Sequence, residues 1–245
     1  MQRVNSLPKD RWAILIDLEG FRALYDKENL VLLSLGELME GVYHVGCKCF
    51  PGSPDRLFAH QVGDGFVIVS EFHEESLDRP IAIAISLLRH VASSGRFAKA
   101  AISEGQFADI QSCYPPTVTN SLGADKRVRL GAGVMTIFPV MGTALIRAFS
   151  IGKSCPSGPL LAVASAERER LPAGLVIHET PSKDIILVDW IHSHTALTER
   201  ITKDASLNSP TTEELTESIK EYCRSQNLKE EWKANVGNYL GVQEK

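Results

Sequence analysis

Residues 11–17, RWAILID, and residues 57–70, LFAHQVGDGFVIVS, determine the fold of this 245-residue chain. The first stretch is a short apolar run that ends in an acid, which predicts a buried strand. The second stretch holds two apolar runs around the tripeptide GDG at 63–65, and Asp-Gly between apolar runs is a strong hairpin signal. Together they predict three strands, with Asp17 at the end of the first and Asp64 at the tip of the hairpin.

The rest of the chain adds helices and strands in a mixed order. Apolar residues at helical spacing predict helices, and Gly-Pro clusters mark the breaks between elements. The predicted helices are 21–45, 77–91, 141–153, 211–224 and 228–239, the remaining strands are 97–103, 160–164, 175–178 and 184–191, and residues 112–133 are predicted to form a long loop or flap.

This order, βαββαβ followed by αβββ, predicts an α+β fold with a ferredoxin-like core, in which helices cover one face of an antiparallel sheet. It is not the alternating order of a doubly wound nucleotide-binding fold. Neither GxGxxG nor GxxxxGK[ST] occurs in the chain, so both common phosphate-loop motifs are excluded. The expected organisation is an N-terminal segment, 1–10, a folded domain, 11–192, and a polar, partly helical extension, 193–245.

Composition limits the classes of partner. The net charge of −4 gives no electrostatic footprint for nucleic acid or for an anionic membrane surface. The stretch 131–146, which carries no charge, is too short to span a membrane, and the polar residues 1–11 do not form a secretory signal. Five irregularly spaced cysteines are typical of reduced thiols. We therefore expect a cytoplasmic protein that binds neither nucleic acid nor membrane.

Two carboxylates are the main candidates for chemistry. In a ferredoxin-like sheet the first strand lies beside the hairpin, so Asp17 and Asp64 meet at one edge. Two carboxylate oxygens are what Mg²⁺ or Mn²⁺ requires next to a triphosphate. The turn 18–21 opens a helix, whose free N–H groups suit phosphate oxygens. The structural alternative is that Asp64 only forms the turn and that Asp17 only caps the helix.

Four segments resemble the class III adenylyl and guanylyl cyclases. The segment at 14–21, ILIDLEGF, is similar to the first strand and turn of that family, and QVGDGFVIVS at 61–70 is similar to its second metal motif. AKAAISEGQF at 98–107 and GTALIRAFSIGKSCPSGPLLAVAS at 142–165 resemble a later strand and the helix, turn and strand that follow it. The resemblance covers residues 11–190 in the order of the family.

The resemblance implies a metal-dependent nucleotidyl cyclase. Asp17, the carbonyl of Leu18 and Asp64 would hold two ions, Mn²⁺ or Mg²⁺, and the stretch Leu18, Glu19, Gly20 and Phe21 would bind the nucleotide. The ribose 3′-hydroxyl would attack the α-phosphate and expel pyrophosphate, a displacement that depends on positioning and charge stabilisation. The family also implies a homodimer whose active sites are completed across the two-fold interface.

The helix of the family supplies an Asn and an Arg, and this chain has Ile146 and Ser150 at those places. Arg147 lies three residues before Ser150, on the same side of a helix, and is the candidate to contact the reacting phosphate. The alternative is an ordinary surface arginine. Lys183, in a turn between strands, is the next candidate for a phosphate contact.

The purine-reading pair of the family is also missing, because His60 and Pro139 stand where Lys and Asp are usual. This pattern resembles the bacterial Pycsar pyrimidine cyclases, which implies cyclisation of UTP, before CTP, to a 3′,5′-cyclic nucleotide such as cUMP in antiphage defence. His60 is the candidate base contact. Two alternatives stay open: a catalytically inactive cyclase fold that senses nucleotide, and a GGDEF-like or unrelated ferredoxin-like domain.

Overall fold

The computed structural model describes residues 10–19, 28–53 and 55–242, with the side chains of the first helix described from residue 32. The strands are β1 (Arg11–Leu18), β2 (Leu57–Val62), β3 (Gly65–Ser70), β4 (Ala98–Gly105), β5 (Ala108–Asp109), β6 (Val128–Leu130), β7 (Gly133–Met135), β8 (Val140–Met141), β9 (Leu161–Ala164), β10 (Ile177–Glu179) and β11 (Ile185–Val188). The helices are α1 (Glu28–His44), α2 (Asp78–Ala92), α3 (Pro116–Thr119), α4 (Thr143–Ser154), α5 (Ala196–Asp204), α6 (Thr212–Ser225) and α7 (Glu230–Leu240).

Seven strands form one sheet in the order β10-β11-β9-β4-β1-β3-β2. Within it β1 pairs antiparallel with both β3 and β4, and β2 pairs antiparallel with β3. The resulting order β4-β1-β3-β2 is that of a ferredoxin-like βαββαβ core, so the predicted α+β fold class is confirmed. The sheet continues through β9, which runs parallel to β4, and ends with β11 and β10, which pair antiparallel with β9 and with each other in the order β9-β11-β10.

The two faces of the sheet are covered by different helices. Because side chains alternate along a strand, Ala13, Leu15 and Asp17 share one face of β1. Ala13 packs with Ala144 and Leu145 of α4, in a small cluster that also includes Val67 and Val69 of β3. The alternate residues of β1 pack into the larger core, to which α1 and α2 contribute. The face of Asp17 is therefore the face that α4 covers.

Several boundaries differ from the sequence-based predictions. Helix α1 ends at His44 and is followed by a π-helical turn, Val45–Cys49, while the predicted start of this helix, 21–27, lies outside the described residues. The predicted loop 112–133 contains the short helix α3 and strand β6. Met141 belongs to β8 instead of α4, because the left-handed Gly142, at φ +152°, breaks the chain before the helix.

The C-terminal helices pack against the same hydrophobic core as the sheet. Helix α6 begins with a capping box between Thr211 and Glu214, and α7 ends at the left-handed Gly241. The buried residues of this region join the main core cluster: Ile201, Leu215, Ile219, Tyr222, Trp232, Val236 and Leu240. Helix α5 was not predicted, because its sequence is polar and only Thr198 and Ile201 are buried.

No helix in the described ranges combines the length and the apolar character needed to cross a membrane.

Candidate active site

Asp17 and Asp64 meet at one end of the sheet. Asp17 pairs with Gly65 across β1 and β3, and Asp64 directly precedes Gly65 in the tight turn that joins β2 to β3. Gly63 has a φ of +63°, a left-handed backbone conformation that glycine adopts more readily than other residues. A Cβ at Gly65 would lie 2.3 Å from the carbonyl oxygen of Ile16, so only glycine allows the turn to approach β1 this closely. The GDG sequence therefore brings the two carboxylates together.

The local electrostatics make this pair unusual. Burial and the adjacent carboxylate of Asp64 raise the pKa of Asp17 to about 7, although the ammonium of Lys99 opposes the shift. Within the described part of the chain, no Lys, Arg or His nitrogen lies within 4.0 Å of either carboxylate. The fold thus holds two acids side by side without a bound counter-charge.

A cavity of about 360 Å³ opens beside the pair, between the end of the sheet and α4. Its acidic groups are Asp17 and Asp64, its basic groups are Lys99 and Lys153, and its apolar lining includes Phe149 of α4. Lys99 is the pairing partner of Asp17 on β4, and Lys153 belongs to the last turn of α4. The cavity is therefore lined by two carboxylates that can bind a cation and by two ammonium groups that can bind an anion.

A hard divalent cation fits the donor chemistry of this site. Two carboxylates already crowd each other, and a cation between them would relieve the repulsion that raises the pKa of Asp17. The chain itself supplies few ligands: among the described residues, no group of three His, Cys, Asp or Glu side chains is placed to hold a metal. Further ligands would have to be backbone carbonyls, water or the phosphates of a substrate.

Of the residues predicted to bind nucleotide next to Asp17, two are described. The side chain of Leu18 is buried in the core. The carboxylate of Glu19 accepts a hydrogen bond of 3.1 Å from the indole N–H of Trp232 and lies 3.9 Å from the ammonium of Lys99. Gly20 and Phe21 lie outside the described residues.

His60 lies on β2 in an aromatic cluster. Its ring centroid is 5.6 Å from that of Phe138, edge to face, and 6.2 Å from that of Phe107. Burial lowers the pKa of His60, against the smaller effect of Asp109, which favours the neutral imidazole. A neutral imidazole has one donor and one acceptor, and two phenylalanine rings lie beside the histidine that the sequence predicts to contact a base.

Arg147 and Lys183 are not brought to the acidic pair of the same chain. The guanidinium of Arg147 donates a hydrogen bond of 2.8 Å to the backbone carbonyl of Glu104, which is five residues along β4 from Lys99, or roughly 17 Å. Lys183 lies in the turn before β11, which is separated from β1 by β9 and β4. Within one chain, neither cation lines the cavity.

Lys99 and Lys153 are the site residues that sequence analysis missed. Lys99 is the second residue of the largely buried strand AKAAISEG, and a lysine flanked by alanines gives no motif of its own. The register with Asp17, which places it at the site, depends on pairing across 82 residues of sequence. Lys153 ends a helix, where a basic residue is ordinary.

Comparisons with known proteins give a likeness of fold at low identity. No family model and no curated protein matches the sequence. Similar solved structures include a bacterial light-regulated adenylyl cyclase, with 12% identity and a TM-score of 0.44 over 88% of this chain and 60% of that chain. A second structure of a bacterial light-regulated adenylyl cyclase matches with 12% identity and a TM-score of 0.44 over 82% of this chain and 57% of that one.

A third structure is a double mutant of the guanylyl cyclase domain of the RhoGC fusion protein from the aquatic fungus Blastocladiella emersonii. It matches with 6% identity and a TM-score of 0.45, over 74% of this chain and 93% of that chain. The structural neighbours are thus adenylyl and guanylyl cyclase domains, and this chain spans less than two thirds of the bacterial proteins. At these scores the roles of individual residues depend on the geometry of the site.

Proposed function

We propose that this chain cyclises a nucleoside triphosphate to a 3′,5′-cyclic nucleotide and pyrophosphate. The observation that carries the proposal is the pair Asp17 and Asp64, held together without a counter-charge beside a cavity that also contains Lys99 and Lys153. Carboxylates for a divalent cation and ammonium groups for phosphates are the two requirements for binding a metal-bound triphosphate.

Asp17, the carbonyl of Leu18 and Asp64 are the groups that would hold Mn²⁺ or Mg²⁺, two ions in the full site. When bound, such ions neutralise phosphate charge and lower the pKa of the attacking ribose 3′-hydroxyl. The residues of the chain position the substrate: Lys99 and Lys153 bind phosphate oxygens, and the wall of α4 excludes water from one side. A bond forms between O3′ and the α-phosphorus as the bond from that phosphorus to the pyrophosphate oxygen breaks.

The active form in this proposal is a homodimer. The position of Arg147 supports it, because its guanidinium is bound to the carbonyl of Glu104, five residues or roughly 17 Å along β4 from Lys99, and does not line the cavity of its own chain. Helix α4 exposes Ile146 and Phe149 on either side of Arg147, and Met141 before the helix is exposed as well. Exposed apolar residues of this kind are typical of an interface.

The proposed substrate is UTP, before CTP. Neutral His60 with Phe107 and Phe138 supports this, because aromatic rings stack on a base and an imidazole pairs with the acceptor and donor groups of uracil. Pro139 has no side-chain group with which to read a purine edge. The wider role, a cUMP signal in bacterial antiphage defence, rests on the resemblance of the sequence to the Pycsar cyclases.

One observation favours the inactive sensor as a second candidate. Ile146 is 66% exposed at the place where cyclases carry Asn, and the nearest guanidinium, that of Arg147, is hydrogen-bonded to a backbone carbonyl. A sensor would bind the triphosphate without turning it over.

Incubation with each of the four ribonucleoside triphosphates and Mn²⁺, followed by mass analysis, tests the proposal. We expect a cyclic product, most from UTP. Preference for ATP or GTP would contradict the pyrimidine assignment, and nucleotide binding without any product would favour the sensor.

A further inference from the structure

The C-terminal helix α7 reaches the candidate site through one hydrogen bond. The indole N–H of Trp232 donates to Oε1 of Glu19 at 3.1 Å, across 213 residues of sequence. Glu19 follows Asp17 by two residues, and its backbone N–H donates to the carbonyl of Phe97 at 2.8 Å. The buried Trp232 packs against Tyr222, whose ring lies edge to face with Phe97 at a centroid distance of 5.0 Å.

Lys99 lies near Glu19 and also lines the cavity. The side chain of Glu19 is only 12% exposed, and its Oε2 lies 3.9 Å from the ammonium of Lys99. That separation is too long for a hydrogen bond, so Lys99 is attracted to Glu19 without being bound by it. Lys99 lines the cavity with Asp17 and Asp64 and is therefore free to turn toward an anion there.

The neutral donors around Glu19 explain why Lys99 stays free. A buried carboxylate needs hydrogen-bond donors, and the indole of Trp232 and the backbone N–H of Gly158 provide them. If the indole donor is removed, the ammonium of Lys99 is the nearest group able to replace it. Closing the 3.9 Å gap would draw Lys99 out of the cavity.

We propose that Trp232 is a positioning residue which, by donating to Glu19, keeps Lys99 available for the phosphates of the substrate. The proposal rests on the proposed function only in taking the ligand to be a triphosphate. It gives the C-terminal extension a role in the site: α7 sets the position of a phosphate-binding cation.

The test uses binding of inorganic tripolyphosphate in the presence of Mn²⁺, measured by calorimetry on the full chain. Trp232→Phe keeps an aromatic ring against Tyr222 but removes the donor, and we expect affinity to fall about tenfold, the loss of one charge-assisted contact. The matched control is Trp12→Phe: Trp12 is also buried, and its indole also donates to a glutamate, Glu74, at the other end of the sheet. This control is expected to leave tripolyphosphate affinity unchanged.

A second variant separates positioning from damage to the fold. Glu19→Gln removes the charge that competes for Lys99, so alone it is expected to tighten tripolyphosphate binding, and combined with Trp232→Phe it is expected to restore the lost affinity. Unchanged binding in Trp232→Phe, a loss that Glu19→Gln does not restore, or weaker binding in Glu19→Gln alone would each overturn the proposal.

These outcomes do not depend on cyclisation. If no triphosphate yields a cyclic product, the proposed function fails while the affinities still decide the role of Trp232. If product forms, Trp232→Phe is expected to raise KM and to leave kcat within about twofold, because Lys99 contacts phosphate in the ground state as well as in the transition state.

Discussion

The carboxylates at the two ends of the central sheet have opposite kinds of partner. At the end where β4 finishes, Glu104 accepts hydrogen bonds of 2.5 and 2.7 Å from the two terminal nitrogens of Arg170. At the end where β4 starts, Asp17 faces Asp64 instead of a guanidinium, and the proximity helps to raise its pKa to about 7.

This difference suggests a structural role for the carboxylate at one end of the sheet and a functional role for the pair at the other. An acid paired with arginine lowers the cost of its own burial, and the Glu104–Arg170 pair ties the strand to the 3-10 turn Ser165–Arg170. Two acids placed side by side are expected to destabilise the free protein, and in the proposed function a bound cation compensates this cost. The first end is therefore expected to contribute to stability, and the second is the proposed cation site.

The largest expected effect is on catalysis. Asp17→Asn and Asp64→Asn are each expected to lower cyclisation at least about a thousandfold, because loss of a metal ligand removes several kcal/mol of transition-state stabilisation. Circular dichroism should show an intact fold in both. The control is Asp184→Asn, which changes an exposed Asp that also precedes a strand. Activity that persists in Asp64→Asn would mean that this residue only forms the turn.

At the end of the sheet that contains Glu104, a substitution is expected to lower stability and to leave ligand binding unchanged. Arg170→Met leaves Glu104, 8% exposed, without its guanidinium, and we expect the free energy of unfolding to fall by about 2–3 kcal/mol. Tripolyphosphate affinity should not change. Arg168→Met breaks an exposed pair with Glu179 and serves as the control, with a loss below about 1 kcal/mol in urea unfolding. Equal losses in the two variants would contradict the contrast between the ends.

In the proposed homodimer, Arg147 acts at the acidic pair of the partner copy. Arg147→Ala is expected to lower kcat about tenfold and to change KM little, since a guanidinium that faces developing charge acts mainly in the transition state. Lys183→Ala, the next candidate, is measured in parallel. Should Arg147→Ala leave both constants unchanged, Arg147 is a surface residue that only binds the carbonyl of Glu104.

The smallest effect is a gain in stability. Without metal, the raised pKa of Asp17 means that the folded protein holds a proton which the unfolded chain releases near pH 4, so stability falls as pH rises from about 4 to 7. Asp64→Asn removes part of the cause and is expected to stabilise the metal-free protein by about 1 kcal/mol at pH 8 and by much less at pH 4. Thermal unfolding in EDTA at both values tests this. A loss of stability at pH 8 would show that the two acids do not repel each other.

The sequence predicted the core of the fold because its signals are local. The GDG turn and the apolar runs around it determine β2 and β3, and the βαββαβ order places Asp17 beside Asp64. Lys99 and Trp232 were not predicted as site residues, because their roles depend on contacts between segments that are distant in sequence. Helix α5 was missed since few of its residues face the core. The roles of Arg147 and His60 stay predictions.

A titration with Mn²⁺, followed by the electron paramagnetic resonance signal of the free ion, tests the central claim most directly. We expect the wild-type chain and Arg170→Met to bind Mn²⁺ with the same affinity, and the double variant Asp17→Asn, Asp64→Asn to leave the signal of the free ion undiminished. If the double variant binds Mn²⁺ as tightly as the wild type, the end of the sheet that contains Asp17 and Asp64 is not the metal site.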